Sequence, residues 1–292
     1  MARTNAISIL QGVNTPAQLK ELYGYVIENV QKETLSGALK SQAYTGDPAS
    51  GSVEFKRFAN ASSKPYGTAR AANKGDEITA PPVTVNLDAH REIVEECAKF
   101  DLDTFGAGNI MARRAGEHID AMAAELDTAF FATAANAATE YETTETDLKE
   151  IIEGLIQSVE TVKSDYVRGV PRNQIIVACN PKFFGRIRNL LDKQSRPNID
   201  TAAEDFQTYH GARFYSSAYL PDGVDALAMR RESVALPVVS YEYSEPEKIP
   251  LSNDFAVSLF YDYGAKALTP ELISSYTYVE PAPAPAPEPE EP

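Results

Sequence analysis

Apolar residues recur at three- and four-residue steps in three stretches of the chain, and each stretch predicts an amphipathic helix. In the first, Thr15-Pro16 supplies an N-cap and a proline at the first helical position, and Leu19, Leu22, Tyr23, Val26, Ile27 and Val30 follow in register. Gly37 is the expected end of that helix. The second and longest runs from about Gly108 to Ala138, with Met111, Ala115, Ile119, Met122, Leu126 and Phe130 on one stripe. Its length corresponds to roughly 46 Å at 1.5 Å per residue. Its many alanines favour helix and allow a neighbour to approach closely. In the third, Asp147-Leu148-Lys149-Glu150 reads as a variant capping box ahead of Leu148, Ile151, Ile152, Leu155, Ile156, Val159 and Val162.

Other segments carry a period of two. Val83-Thr84-Val85-Asn86-Leu87 alternates, as do Phe255, Val257, Leu259, Tyr261 and Tyr263. Leu272–Val279 is expected to answer the latter strand across Gly264–Pro270, with both sharing the sheet of the Val83 strand. Ile175-Ile176-Val177-Ala178 is a short run without polar interruption, the mark of a strand buried on both faces. Asn180-Pro181 then caps and opens a helix through Leu191. Further strands are expected at Arg213–Leu220, at Ala226–Arg230 after the Pro221-Asp222-Gly223 turn, and near Val234–Tyr243. Mixed helices and largely antiparallel strands make the fold class α+β.

Residues 41–80 differ in kind. Glycines and prolines punctuate them, apolar residues are few, and only Val53-Glu54-Phe55 and the flank after Gly75 read as short strands. So long an excursion without a core-forming pattern is unusual inside a compact domain. As a hairpin with arms of about 15 residues it would reach roughly 50 Å at ~3.3 Å per residue. Within it, Val53–Gly75 is expected to add little to the core. The chain closes on Glu280–Pro292, six prolines, four glutamates and three alanines, which predicts an extended, solvated tail.

Charge sharpens this contrast. Across 292 residues, 27 Lys+Arg face 42 Asp+Glu, a net charge of −15 and the wrong sign for gripping phosphate over a broad face. Yet Val53–Gly75 holds Lys56, Arg57, Lys64, Arg70 and Lys74 against Glu54 alone, a local +4. Thr139–Asp165 holds eight acids against Lys149 and Lys163. A basic arm and an acidic body suit head-to-tail pairing between copies; two solvated faces are the plainer reading. Those five bases are the candidate contact residues.

Motifs for catalysis are missing. His90, His118 and His210 are scattered without metal-ligand spacing, and no nucleophile elbow or P-loop occurs. Gly106-Ala107-Gly108 opens a helix but lacks the third glycine of a nucleotide cradle. Glu92, Glu95 and Glu96 read as a solvated edge, and His118 as packed or hydrogen-bonded. Cys97 and Cys179, 82 positions apart, read as buried thiols of a reducing compartment. No run is long and apolar enough to span a membrane, and Met1–Leu10 does not read as a signal peptide. No catalytic, cofactor or metal residue is therefore assigned.

The order of segments resembles that of the major capsid proteins of tailed bacteriophages, with the Hong Kong 97-type fold. The likeness in text lies in Pro82-Val83-Thr84-Val85-Asn86-Leu87 continuing into Ile93-Val94-Glu95-Glu96 and Asp101-Leu102-Asp103-Thr104-Phe105-Gly106. Ala112-Arg113-Arg114-Ala115-Gly116-Glu117-His118-Ile119-Asp120, through Ala124-Glu125-Leu126-Asp127, is similar to the family's spine helix. The resemblance implies an N-terminal arm and helix at 1–40, an extended loop at 41–80 and a peripheral domain at 81–140 plus 251–279. It further implies an axial domain at 141–250 and a disordered Pro/Glu-rich tail at 281–292. It implies a structural, non-enzymatic protein of the virion that builds hexamers and pentamers of an icosahedral head in the host bacterial cytoplasm. The packaged DNA inside would be held without sequence-specific contacts or a membrane.

Two departures qualify it. The helix at Pro16 leaves no room for an N-terminal scaffolding segment, so a separate scaffolding protein is expected beside the portal. Lys56 and Lys64 lie in the segment where some relatives form a lysine–asparagine cross-link, but partner positions cannot be matched. The alternatives are an encapsulin-type nanocompartment shell, a cytosolic enzyme of unrecognised family and a surface-binding or decoration module.

Overall fold

The computed structural model describes residues 26, 28–30, 32–72, 74–97, 107–192, 208–241, 247–248, 251 and 255–279. The early part of the first expected helix, Cys97's side chain, Met111's side chain and the Pro/Glu tail lie outside the described residues.

Helical backbone reaches Glu33, breaks at the extended Thr34 and resumes as α1 (Leu35–Leu39). Gly37 is therefore inside a helix and does not end one. The break is tied elsewhere: the buried Asp127 carboxylate accepts from the Leu35 and Ser36 backbone N–H groups at 3.1 and 2.9 Å. A distant side chain supplies the cap that local sequence lacks, since Thr34's own side chain makes none.

Next come β1 (Tyr44–Thr45), β2 (Ser52–Lys56), the short α2 (Thr68–Ala72) and β3 (Pro82–Asn86). β1, β2 and β3 form one antiparallel sheet, with Val53 opposite Val85 and Phe55 opposite Val83. Val53, Phe55 and Val85 are buried with Ala235 in a small core of their own. The expectation that Val53–Gly75 adds little to the core thus fails at Val53 and Phe55: the short strand was legible, but the distant Val85 and Ala235 that bury it were not. The ladder ends at Lys56 and Pro82; beyond it the arms are linked by the Ala59 N–H to Thr79 carbonyl bond at 2.9 Å and, farther out, by Ser62 and Lys64 to the Asp76 carboxylate.

β4 (Ala89–Cys97) pairs over nine residues with β13 (Phe255–Tyr263), which also takes β11 (Val238–Ser240) and β12 (Glu247–Lys248) on its other side. Against the inner face of this sheet lies α3 (Ala107–Ala137), whose Ala115, Ile119, Met122, Leu126 and Phe130 are all buried with Leu259, Tyr261 and Tyr263.

β5 (Thr139–Glu140) leads to α4 (Leu148–Glu160), capped by Asp147 Oδ1 accepting from the Lys149 N–H at 3.0 Å. β6 (Ile175–Cys179) is buried at every position. Asn180 Oδ1 accepts from the Phe183 N–H at 2.7 Å and so caps α5 (Pro181–Asp192). There follow β7 (Thr208–Tyr209), β8 (Ala212–Ser216), β9 (Ala226–Arg230) and β10 (Val234–Ala235), then β14 (Lys266–Ala267) and β15 (Ile273–Tyr276).

β15 does not answer β13. It lies in a six-stranded sheet of order β5-β15-β9-β6-β8-β7, while β14 turns aside to pair β10. β3 belongs to neither sheet. The expected single sheet is thus three, because the 3-10 turn Pro270–Leu272 carries the chain away before Ile273. A Cβ at Gly264 would overlap the Asn86 carbonyl, so the backbone there passes too close to the end of β3 for any side chain.

Asp127→Ala should orphan two backbone N–H groups at the start of α1. The expected cost is about 1–3 kcal/mol, read as a lower urea midpoint, with Asp127→Asn recovering part of it.

Candidate interaction surface

The five candidate bases do not act as one set. Arg57 points home: it forms an ion pair with Glu271, and its guanidinium lies 4.2 Å above the Tyr166 ring. Beside it the Asn60 N–H donates to the Asp165 carbonyl at 2.8 Å, and Asn60 Nδ2 to the Ser164 carbonyl at 3.1 Å. The loop is therefore fastened at its base to the turn after α4. Lys64 bonds Asp76 across the loop at 2.5 Å, which holds the Asp76 carboxyl below its ordinary range and removes one free cation. Lys56, Arg70 and Lys74 are exposed and have no ion-pair partner among the described residues.

The same loop carries three strongly exposed apolar side chains. Tyr66 is 99% exposed, Ile78 83% and Phe58 63%. These three were missed from the sequence because isolated apolar residues in a polar stretch carry no period. The signal was their presence at all in a segment with no core to join. A loop with aromatic and cationic side chains, and almost nothing beneath it, presents the composition of an interface patch.

The acidic stretch divides as well. Glu140, Glu142, Glu145, Asp147, Glu150 and Asp165 are exposed. Glu153 and Glu160 instead bind Arg172: its Nη1 donates to Glu153 Oε2 at 3.0 Å and its Nε to Glu160 Oε2 at 2.8 Å. His210 Nδ1 meets Glu153 Oε2 at 2.6 Å. The Arg172 guanidinium holds the Glu153 carboxyl at about 2, well below its usual range. This network joins α4 to the start of β6 and the β7–β8 turn, so it is internal and not a contact surface.

Several other titratable groups also serve packing. Glu92 and Glu96 are exposed, as expected of an edge, but Glu95 turns inward to Arg114 Nε at 2.6 Å and to the buried His118 Nε2 at 3.1 Å. Arg114 keeps the Glu95 carboxyl below its ordinary range. Cys179 is buried, and desolvation pushes its thiol far above the reactive range. Among the described residues no three His, Cys, Asp or Glu side chains are placed to hold a metal ion, and no helix is long and apolar enough to cross a membrane.

A long helix shared between two sheets, with a projecting loop hinged at its base, defines the Hong Kong 97-type capsid fold. The chain superposes on a protein of Mycobacterium phage Che8 with a TM-score of 0.63 at 18% identity, covering 83% of this chain and 90% of that one. On the capsid structure of cyanophage P-SCSP1u the TM-score is 0.60 at 13% identity, with 84% and 88% covered. On a virus-like particle from Pyrococcus furiosus it is 0.53 at 10% identity, with 88% and 98% covered. No curated protein matches the sequence. The profile of the phage capsid protein family matches residues 92–273, more than half the chain, and the chain belongs to that family. Its role is that of a structural major capsid protein of the virion, and a shell built from copies of one protein requires self-association.

Acid titration tests the Arg172 network. Glu153's folded-state value lies below its unfolded one, so its contribution to stability is complete above about pH 4.5 and is lost as pH falls toward about 2. Urea midpoints measured down this window should fall more steeply for the native protein than for Arg172→Met.

Proposed function

We propose that the chain assembles through hexamers and pentamers into an icosahedral head enclosing phage DNA, in the host bacterial cytoplasm, with a separate scaffolding protein and portal. In this reading 1–40 acts as N-terminal arm and 41–80 as extended loop. Residues 81–140 with 251–279 act as peripheral domain, 141–250 as axial domain and 281–292 as a solvated tail. The loop carries Lys56, Lys64, Arg70 and Lys74 onto a neighbouring copy, with Arg57 fixing its direction from below.

One observation carries the reading: Phe58, Tyr66 and Ile78 stand exposed on the outer part of the loop, where no described residue from 58 to 80 is buried. Burying each on a sister molecule is worth about 1.5–3 kcal/mol. An exposed ion pair contributes only about 0–1 kcal/mol. The apolar anchors therefore supply the affinity, while Lys56, Arg70 and Lys74 steer the loop toward the exposed acids Glu140, Glu142 and Glu145 and set its register. The net charge of −15 favours a container that repels its DNA from the wall over one that grips it.

A nanocompartment shell is the second reading, favoured by the near-complete cover of the Pyrococcus furiosus particle protein. Purified particles holding nuclease-protected DNA support the head; particles filled with one enzyme support the compartment.

Replacing residues 62–77 by two glycines leaves β2, β3 and the Arg57 contacts in place. The subunit should remain folded, with a melting temperature within a few degrees of native, yet form no closed particles by electron microscopy. Particles of normal size from the deletion would refute the loop's role. Charge reversal at Lys56, Arg70 and Lys74 to Glu should slow assembly followed by light scattering, and reversal of Glu140, Glu142 and Glu145 to Lys should restore it. An unchanged rate in the first variant would remove the acidic strip as the landing site.

A further inference from the structure

β4 is an edge strand. β13 takes one side of it, and among the described residues no strand pairs with the other. The register tells which backbone groups face that open side. The Tyr241 N–H donates to the Phe260 carbonyl at 2.9 Å and the Gly264 N–H to the Pro237 carbonyl at 3.2 Å, so Phe260, Asp262 and Gly264 direct their backbone toward β11. That direction alternates along a strand, so Leu259, Tyr261 and Tyr263 direct theirs toward β4, to their partners Ile93, Arg91 and Ala89. The N–H and C=O groups of His90, Glu92, Val94 and Glu96 are left pointing outward. Their four side chains are exposed as well.

An open edge of nine residues is a template for another strand, and charged side chains are a common guard against indiscriminate pairing. Here the order of the charges admits one guest in one register. A second copy of β4 laid antiparallel on this edge must set outward-facing residues opposite one another, so its register moves in steps of two. Centred on Ile93, all nine residues pair: His90 stands against Glu96, Glu92 against Val94 and, on the other face, Arg91 against Glu95. One step to either side shortens the overlap and sets Glu92 against its own copy or against Glu96, where like charges directly opposite are destabilising. His90 is prepared for its place, because its Nδ1 lies 2.8 Å from Asp262 Oδ1 while the rest of the ring stays exposed. Val94 gains cover from the stem of the opposing Glu92.

We propose that two copies of this chain pair β4 to β4, antiparallel about a two-fold axis at Ile93, and so join their sheets into one. The contact is isologous, each copy giving and receiving the same bonds. It goes beyond the loop reading, since it uses neither the loop nor the acids on which the loop lands. Diagonal Glu92 and Glu96 still repel across it and the paired area is small, so cross-linking suits it better than a measurement of dimer affinity.

The test mixes equal amounts of Glu92→Cys and Val94→Cys full chains at high concentration under a mild oxidant. Opposite Cα atoms of a hydrogen-bonded pair are about 5.5 Å apart, within disulfide reach. In either variant alone the new cysteines meet only diagonally, at about 7–8 Å, which is too far. The mixture should give a disulfide-linked dimer that neither variant gives alone, with the 92–94 link identified by mass spectrometry. Adding His90→Glu to both chains should abolish the link, and adding Glu96→Lys besides should restore it. The link is read whether or not closed particles form, so its failure and that of the assembly reading are separate outcomes. Absence of the 92–94 link, self-linking of either variant, a link from either position to Cys97 or to another protein, or indifference to the charge changes would overturn the pairing.

Discussion

The fold is arranged around a sheet whose central strands, β6 and β9, have no wet face. In β6 the side chains of Ile176 and Ala178 join the core shared with α3, while Ile175, Val177 and Cys179 join the core under α4 and α5. β9 repeats the division, with Leu227 and Met229 on one side and Ala226 and Ala228 on the other. A sheet apolar on both sides must be covered twice, so a helical layer has to come from before it in sequence as well as after. α3 provides the first and α4 with α5 the second. β5 and β15, from the two flanks of the chain, then pair into the same sheet and lock the covering layers to it.

Because α3 is committed to the six-stranded sheet at its C-terminal end, its remaining length must be covered by the four-stranded one. There the contact is both apolar and polar. Leu259, Tyr261 and Tyr263 pack on the helix, and the two tyrosine hydroxyls donate to the Glu125 carboxylate at 2.5 and 3.0 Å. Arg91 reaches the same carboxylate from β4, at 2.5 Å. Glu95 with Arg114 and His118 forms a second tie between β4 and the helix, and Asp127 a third, to α1. Charged hydrogen bonds of this kind fix where the helix lies along the sheet, which apolar stripes alone leave free to slide.

Legibility in the sequence follows how local each cause is. α3 and α4 read correctly because a 3.6-residue stripe is written into the segment itself, and β6 because four apolar residues in a row admit few other readings. The caps at Asp147 and Asn180 are local too, and both bond as their type predicts. What escaped depends on distant partners. β4, Ala-His-Arg-Glu-Ile-Val-Glu-Glu-Cys, has a charged and unpromising sequence and is a strand because β13 gives it nine rungs. β15 looks like a continuation of the β13 hairpin until the tertiary fold claims it for β9. On the interaction surface, the coreless character of the loop was legible for residues 58–80, while the burial of Val53 and Phe55 was not. Nor was the division of its bases: Arg57 is taken by Glu271, more than 200 positions away, and nothing near either residue announces it.

The loop's fastening bears on how a shell can close accurately from weak contacts. A segment left wholly free would lose about 1–2 kcal/mol of backbone entropy for each residue ordered on a neighbour, enough to cancel three apolar anchors. A segment folded tightly at home would have nothing to offer. The structure takes a middle course: the Arg57 and Asn60 contacts and the Lys64–Asp76 pair order the base and part of the span in the lone subunit, while Phe58, Tyr66 and Ile78 stay uncovered. In the proposed assembly, small gains would keep single attachments reversible, so a misplaced subunit would leave, whereas a correctly placed one would be held by its own loop and by those of its neighbours.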